Sequence, residues 1–199
     1  KNRFGPAGEL GLFEMAESGL REVADASARL LSERREDAAG TAVIATREGS
    51  RPLLIEVQAL VGRPTPATPM RTCVGADRTR VQMLIAVLEK AGLSLHDRDV
   101  FVNAAGGVRL EETAADLGVI AAIASSLTDT PVRSDTMVFG EVGLVGEVRA
   151  VSHPNVRLRE AARHGFTRVI APASMAVEPP RGLHLVGVRS VREALEHLF

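Results

Sequence analysis

The sequence predicts an α/β fold with a mixed sheet and packed helices, and three observations carry that reading. Apolar runs of strand length alternate with segments whose apolar residues recur every three or four positions. Two strand-like runs, residues 41–46 and 52–61, are separated only by Arg47-Glu-Gly-Ser-Arg51, which suits an antiparallel pair. Later runs are separated by whole helices, which suits a sheet with parallel neighbours.

Taken in order, Leu10-Gly-Leu-Phe-Glu-Met15 reads as a strand, and residues 25–40 are charged enough to read as a linker, docked locally by Leu30 and Leu31. The strand over 52–61 alternates Leu54, Glu56, Gln58 and Leu60 against Leu53, Ile55, Val57 and Ala59, so one face should be wetter. Three prolines between Gly62 and Arg71 predict an extended loop. Asp77 caps a helix to about Ala91, with Val81, Leu84, Ile85 and Leu88 as its stripe and Gly92 as its stop. Arg78 and Arg80 oppose that helix's dipole, so solvent, an anion or a carboxylate must offset them. Asp99 to Asn103 is a buried strand and Ala104 to Arg109 a turn.

Residues 111–126 form a helix whose small face holds Ala115, Val119, Ala122, Ile123 and Ser126. Ser125 and Ser126 read as packing residues, Glu111 and Glu112 as dipole partners, and Asp116 as the partner of an arginine. Glycines 140, 143 and 146 punctuate a β-hairpin over 138–151. Val156 to His164 is a helix stopped by Gly165, before strands at 168–171 and 182–188. Ser190 and Glu193 have capping-box spacing ahead of a helix packed through Ala194, Leu195 and Leu198.

Composition narrows the function. With 45% hydrophobic and 25% charged residues the chain has a core without staples, and its single cysteine, Cys73, excludes an internal disulfide or a cysteine zinc cluster. A reducing cytoplasm fits, and no run of about eighteen apolar residues suggests a membrane span. The start, with neither leader nor initiator methionine, reads as cut from a longer protein. A net charge of -1 gives no global case for nucleic acid, so that case rests on Arg157, Arg159 and Arg163, which read as a basic edge of one helix. There is no Walker loop, and the histidines at 96, 153, 164, 184 and 197 show no metal-ligand spacing.

The helix, hairpin, helix, strand series from 111 to 171 resembles the proteolytic domain of Lon proteases, a ribosomal-protein-domain-like fold. Glu111-Glu-Thr-Ala-Ala-Asp-Leu117 lies on that family's nucleophile segment and Phe139-Gly-Glu-Val-Gly-Leu-Val-Gly-Glu-Val-Arg-Ala-Val151 on its hairpin. Ala114 then stands where the serine belongs and Asn155 where the lysine belongs, so the Ser-Lys dyad is lost: neither a methyl group nor a carboxamide attacks a peptide or takes its proton. At the other end, Lys1-Asn-Arg-Phe-Gly5, followed by Glu9-Leu-Gly-Leu-Phe-Glu-Met15, resembles a motif of the RadA (Sms) family of bacterial DNA repair proteins. That family joins a zinc finger, a RecA-like ATPase and a Lon-like domain without the dyad.

The resemblance implies residues 1–24 as the end of a RecA-like ATPase, 25–40 as linker and 41–199 as the Lon-like domain. It implies ATP, Mg2+ and a zinc-finger Zn2+ for the parent, with no cofactor in this segment. It also implies single-stranded or branched DNA as partner, a homo-oligomeric ring of hexameric type, a RecA-type recombinase as a further partner, no membrane, and a cytoplasmic location. Candidate DNA contacts are Lys1, Arg3, Arg157, Arg159 and Arg163, with Asn2, Phe4 and Gly5 completing the motif. The alternatives are an oligomerisation scaffold that never touches DNA, and a protease with a relocated dyad, for which Lys90 is the only internal lysine.

Overall fold

A computed structural model describes residues 13–16, 19–48, 51–64 and 68–199. The Lys1 to Gly5 motif, the first part of the strand expected at 10–15 and the middle of the proline loop lie outside the described residues. Phe13–Ala16 (β1) and Gly19–Glu22 (β2) pair as an antiparallel hairpin.

Among the described residues the main sheet has seven strands: β3 (Thr41–Glu48), β4 (Arg51–Gly62), β5 (Arg71–Val74), β6 (Asp99–Ala104), β7 (Thr136–Val138), β10 (Arg168–Pro172) and β11 (His184–Val188). Between β7 and β10 lies a small separate hairpin, β8 (Glu141–Val142) and β9 (Val148–Arg149). The sheet order is β11-β10-β7-β3-β4-β6-β5. β3–β4 and β4–β6 are antiparallel and the other pairs parallel, so the sheet is mixed. The antiparallel pair read from residues 41–61 is there, with Thr41 opposite Gln58 and Glu48 opposite Arg51.

Side-chain alternation along β3 builds both layers. Ala42 and Ile44 enter one apolar cluster with α2 (Arg78–Ala91), α3 (Asp116–Thr128) and α5 (Val191–Leu198). Val43 and Ala45 enter the other, with Met137, Phe139, Phe166 and, from α4 (Pro154–Arg163), Leu158 and Ala161. Both faces of β3 are covered, which explains its unbroken apolar run. Helix α3 is buried from Asp116 through Ser125 and lies unusually close to the sheet. A Cβ on Gly118 would stand 1.9 Å from Ile44 Cγ2, so only glycine permits this approach.

The helix ends follow their sequence signals. Asp77 accepts from Arg80 N at 2.7 Å, and Gly92 ends α2 in the left-handed region at φ 111°. Ser190 accepts from Glu193 N at 3.2 Å while the Glu193 carboxylate accepts from Arg189 N at 2.7 Å, a reciprocal cap one residue wider than the usual box.

Four expectations need correction. The segment read as linker carries a helix, α1 (Ala26–Leu31), capped by Asp25, which accepts from Ala28 N at 2.9 Å. β6 pairs with Val57–Gly62 of β4, so among the described residues no strand lies beside the earlier half of β4 on that side, and α1 covers it. There buried Ser27 accepts from Leu54 N at 3.1 Å. The wetter face of β4 is wet only beyond that cover: Glu56 is buried, whereas Leu60 is exposed. Residues 136–138, the last of which reads from sequence as the start of the hairpin, form a strand inside the main sheet, between β10 and β3. The extended loop gives way at Arg71 to the edge strand β5.

Entry into β10 depends on Asp135. Its backbone oxygen accepts from the amides of Thr167 and Arg168, and its carboxylate accepts from Arg133 Nη2 at 2.9 Å and Thr167 Oγ1 at 2.7 Å. The Arg133 guanidinium first, and the Thr167 hydroxyl second, hold this carboxyl well below the usual carboxylate range. A depressed folded-state pKa gives stability that is complete above the unfolded value near 4 and is lost as pH falls through the folded one. Asp135→Asn should therefore lower the melting temperature at neutral pH and flatten the acid limb of the stability curve. The loss should be no more than about 1 kcal/mol, because Arg133 is solvated. Superimposable acid limbs would contradict it.

Candidate functional site

The site is built where α3 begins. Thr113–Ala115 form a single tight turn ahead of the helix, and Ala114 is 1% exposed. The Ala114 carbonyl accepts from Gly140 N at 2.9 Å and Gly140 O accepts from Leu117 N at 3.1 Å, which ties the helix start to the residues after β7. The side chain at position 114 is thus a methyl group packed in the core. Asn155 lies exposed in the first turn of α4. Neither is a nucleophile or a base.

Between these elements stands a buried arginine. Arg157, 1% exposed, donates from Nη1 to Ala45 O at 2.5 Å, from Nη2 to Glu112 Oε2 at 2.8 Å and from Nε to Ser152 O at 3.2 Å. Its guanidinium also lies 5.8 Å from the centroid of Phe139. Glu112 Oε2 accepts from Arg47 N at 2.9 Å as well. The pair therefore joins β3, the turn before α3, and α4. A second clamp lies beside it. Arg80 Nε donates to Asp116 Oδ1 at 3.0 Å, Arg80 Nη2 donates to Asp116 Oδ2 and, at 2.8 Å, to Val142 O, and Val142 N donates back to Asp116 Oδ2 at 3.0 Å. Burial pushes the Asp116 carboxyl up, against the pull of Arg80 and the Val142 amide, while the bond to Asp116 raises Arg80. Of the three ways open to offset the cations at the start of α2, Arg80 takes a carboxylate, and that carboxylate is Asp116, for which an arginine partner was expected; Arg78 is exposed. A cavity of about 200 Å³ lies over this clamp, walled by Ala76, Val81, Leu110, Thr113 and Val119.

The candidate DNA contacts separate. Arg157 is removed from the basic edge: its three donor groups are satisfied inside the protein, and exposing it would take a donor from Glu112, Ala45 O and Ser152 O. Arg159 is exposed. Arg163 is 61% exposed but bonds Asp25 Oδ2 at 3.1 Å. Lys1 and Arg3 lie outside the described residues. Ser125 and Ser126 pack: Ser125 Oγ accepts from Gly40 N at 2.9 Å and Ser126 Oγ accepts from Val61 N at 2.9 Å. The Glu112–Arg157 pair escaped the sequence reading, although position 157 shares the inward face of α4 with Leu158 and Ala161.

Residues 60–175 match the family described as subunit ChlI of Mg-chelatase, and the chain belongs to that family. Over nearly its whole length it is also similar to the DNA repair protein RadA. It is 49% identical over 197 residues to RadA of Salmonella typhimurium, 48% over 197 to that of Escherichia coli, and 46% over 198 to that of Bacillus subtilis. These matches take in 98% of this chain and 43% of each relative, so the chain spans less than half the length of the relatives it matches. The family resemblance read from residues 1–5 is borne out. Among the described residues no helix is long and apolar enough to cross a membrane.

Proposed function

We propose that the chain is the Lon-like part, with the last strip of a RecA-like ATPase, of a cytoplasmic ATP-dependent DNA repair protein. In this reading the Lon-like domain has kept its fold, lost its protease and become a ring-forming scaffold that presents a DNA-binding surface. The similarity to RadA over 98% of the chain carries the reading. The local chemistry supports it, since Ala114 is buried and a structural ion pair joins the flanking elements. Residues 1–24 belong to the ATPase, and α1 joins residues 41–199 rather than standing apart as linker. ATP with Mg2+ and a zinc-finger Zn2+ belong to the rest of the parent, which acts on single-stranded or branched DNA as a homo-hexamer, with a RecA-type recombinase as further partner.

The purified chain should leave unfolded protein substrates uncut and take up no serine-directed inactivator. Cleavage that survives stringent purification, or a labelled serine, would contradict this. Forked-DNA binding should weaken with Arg159→Ala, with the salt slope reduced by about one. A reading without DNA contact has its own support, since burial of Arg157 and pairing of Arg163 leave the basic edge thinner than its sequence. An unchanged Arg159→Ala slope would favour that reading. For the motif, Lys1→Ala in the full-length protein separates two roles: a slower ATPase at saturating DNA marks a nucleotide contact, and weaker, less salt-dependent DNA binding marks a phosphate contact.

A further inference from the structure

Three potential metal ligands converge away from the former dyad, where α1 meets the end of α4. Glu160 and His164 stand four residues apart, so they lie on one side of the helix end, and Asp25 arrives from the cap of α1. His164 Nε2 is 3.1 Å from Glu160 Oε1 and 3.5 Å from Asp25 Oδ1, and the three atoms all lie within 4.8 Å of one another. A tetrahedral ion with bonds of about 2.0–2.2 Å holds neighbouring ligand atoms about 3.3–3.5 Å apart; the separation from histidine to Asp25 fits this, and that to Glu160 is a hydrogen bond that an ion would open slightly.

The surroundings orient the same atoms. Ser27 Oγ donates to Glu160 Oε1 at 2.7 Å, and Ala28 N donates to Asp25 Oδ1 at 2.9 Å, leaving each oxygen a second lone pair. Arg163 takes the outer oxygens, at 3.1 Å from Asp25 Oδ2 and 3.8 Å from Glu160 Oε2, so its charge offsets the carboxylates without standing between the inner ligands. The side chains of Glu160 and His164 are each only 10% exposed.

We propose that Asp25, Glu160 and His164 form a zinc site, with three protein ligands and a fourth position open to water, that staples α1 to α4. One imidazole and two carboxylates converging on one point suit this ion. The ion is structural: it joins residue 25 to residues 160 and 164 across the sheet edge that α1 covers, and metal bound only by the folded chain raises its stability.

The test is titration of the chelator-dialysed chain with Zn2+ alone, together with Co2+ absorption and thermal unfolding with and without Zn2+. One ion per chain, a tetrahedral Co2+ spectrum and a raised melting temperature are expected. His164→Ala should lose all three. Asp25→Asn, which keeps a good helix cap, guards against a misfolded variant and should lose the tetrahedral spectrum while staying folded. Absence of stoichiometric binding in the native chain would overturn the proposal and leave His164 as a hydrogen-bonding bridge between two carboxylates. Binding unchanged in both variants would overturn it equally.

Discussion

Arg157→Ala is expected to destabilise the domain by about 3–5 kcal/mol, the usual cost of breaking a buried charged pair from one side. The mutation removes more than a charge. It strips donors from Ala45 O, Ser152 O and Glu112 Oε2, and it empties the space beside Phe139. Glu112→Ala should cost less, because Glu112 is 26% exposed and water replaces part of what Arg157 loses. Arg157→Lys should recover little, since one ammonium cannot reach three acceptors set around a planar fork. Urea denaturation of the three variants checks the order. A loss below about 1 kcal/mol for Arg157→Ala would mean that the pair is solvated in solution and that this arginine remains free to meet DNA.

Gly118→Ala should also destabilise, by about 1–3 kcal/mol, although alanine is the better helix former by about 1 kcal/mol. The new methyl would stand 1.9 Å from Ile44 Cγ2 and 3.4 Å from Ile44 Cβ, so α3 must move off β3. Ile44→Ala removes Cγ2, so the double variant should be more stable than the sum of the single losses, with a coupling of about 1 kcal/mol or more. Strict additivity would show that the helix backs away without cost and that its close seat does not hold the Ala114 turn in place.

The legible parts of the sequence were those with local physics. Asp77, Gly92, Ser190 and Glu193 each act on their own helix end, so their spacing sufficed. The β3–β4 pair was legible because the connection is short. β5 was not: four residues, Arg71 to Val74, have no periodicity to read, and their pairing with β6 is set by contacts across α2. The place of β7 between β3 and β10 is likewise non-local, since parallel partners come from distant parts of the chain. At the candidate site, the ion pair that joins the elements depends on Glu112 and Arg157, 45 residues apart. Reading 157, 159 and 163 as one charged edge overlooked that position 157 falls on the apolar side of α4, where an arginine must bring its partner inside. The same non-locality hid Asp25, which meets Glu160 and His164 only through the packing of a segment that its charge made look like linker.

If the chain assembles on DNA as proposed, its mass in solution should differ with and without forked DNA. Sedimentation over a range of concentrations should show the 21.1 kDa chain entering a closed ring of hexameric size, with DNA joining that assembly. A concentration-independent monomer whose mass is unchanged by forked DNA would contradict it.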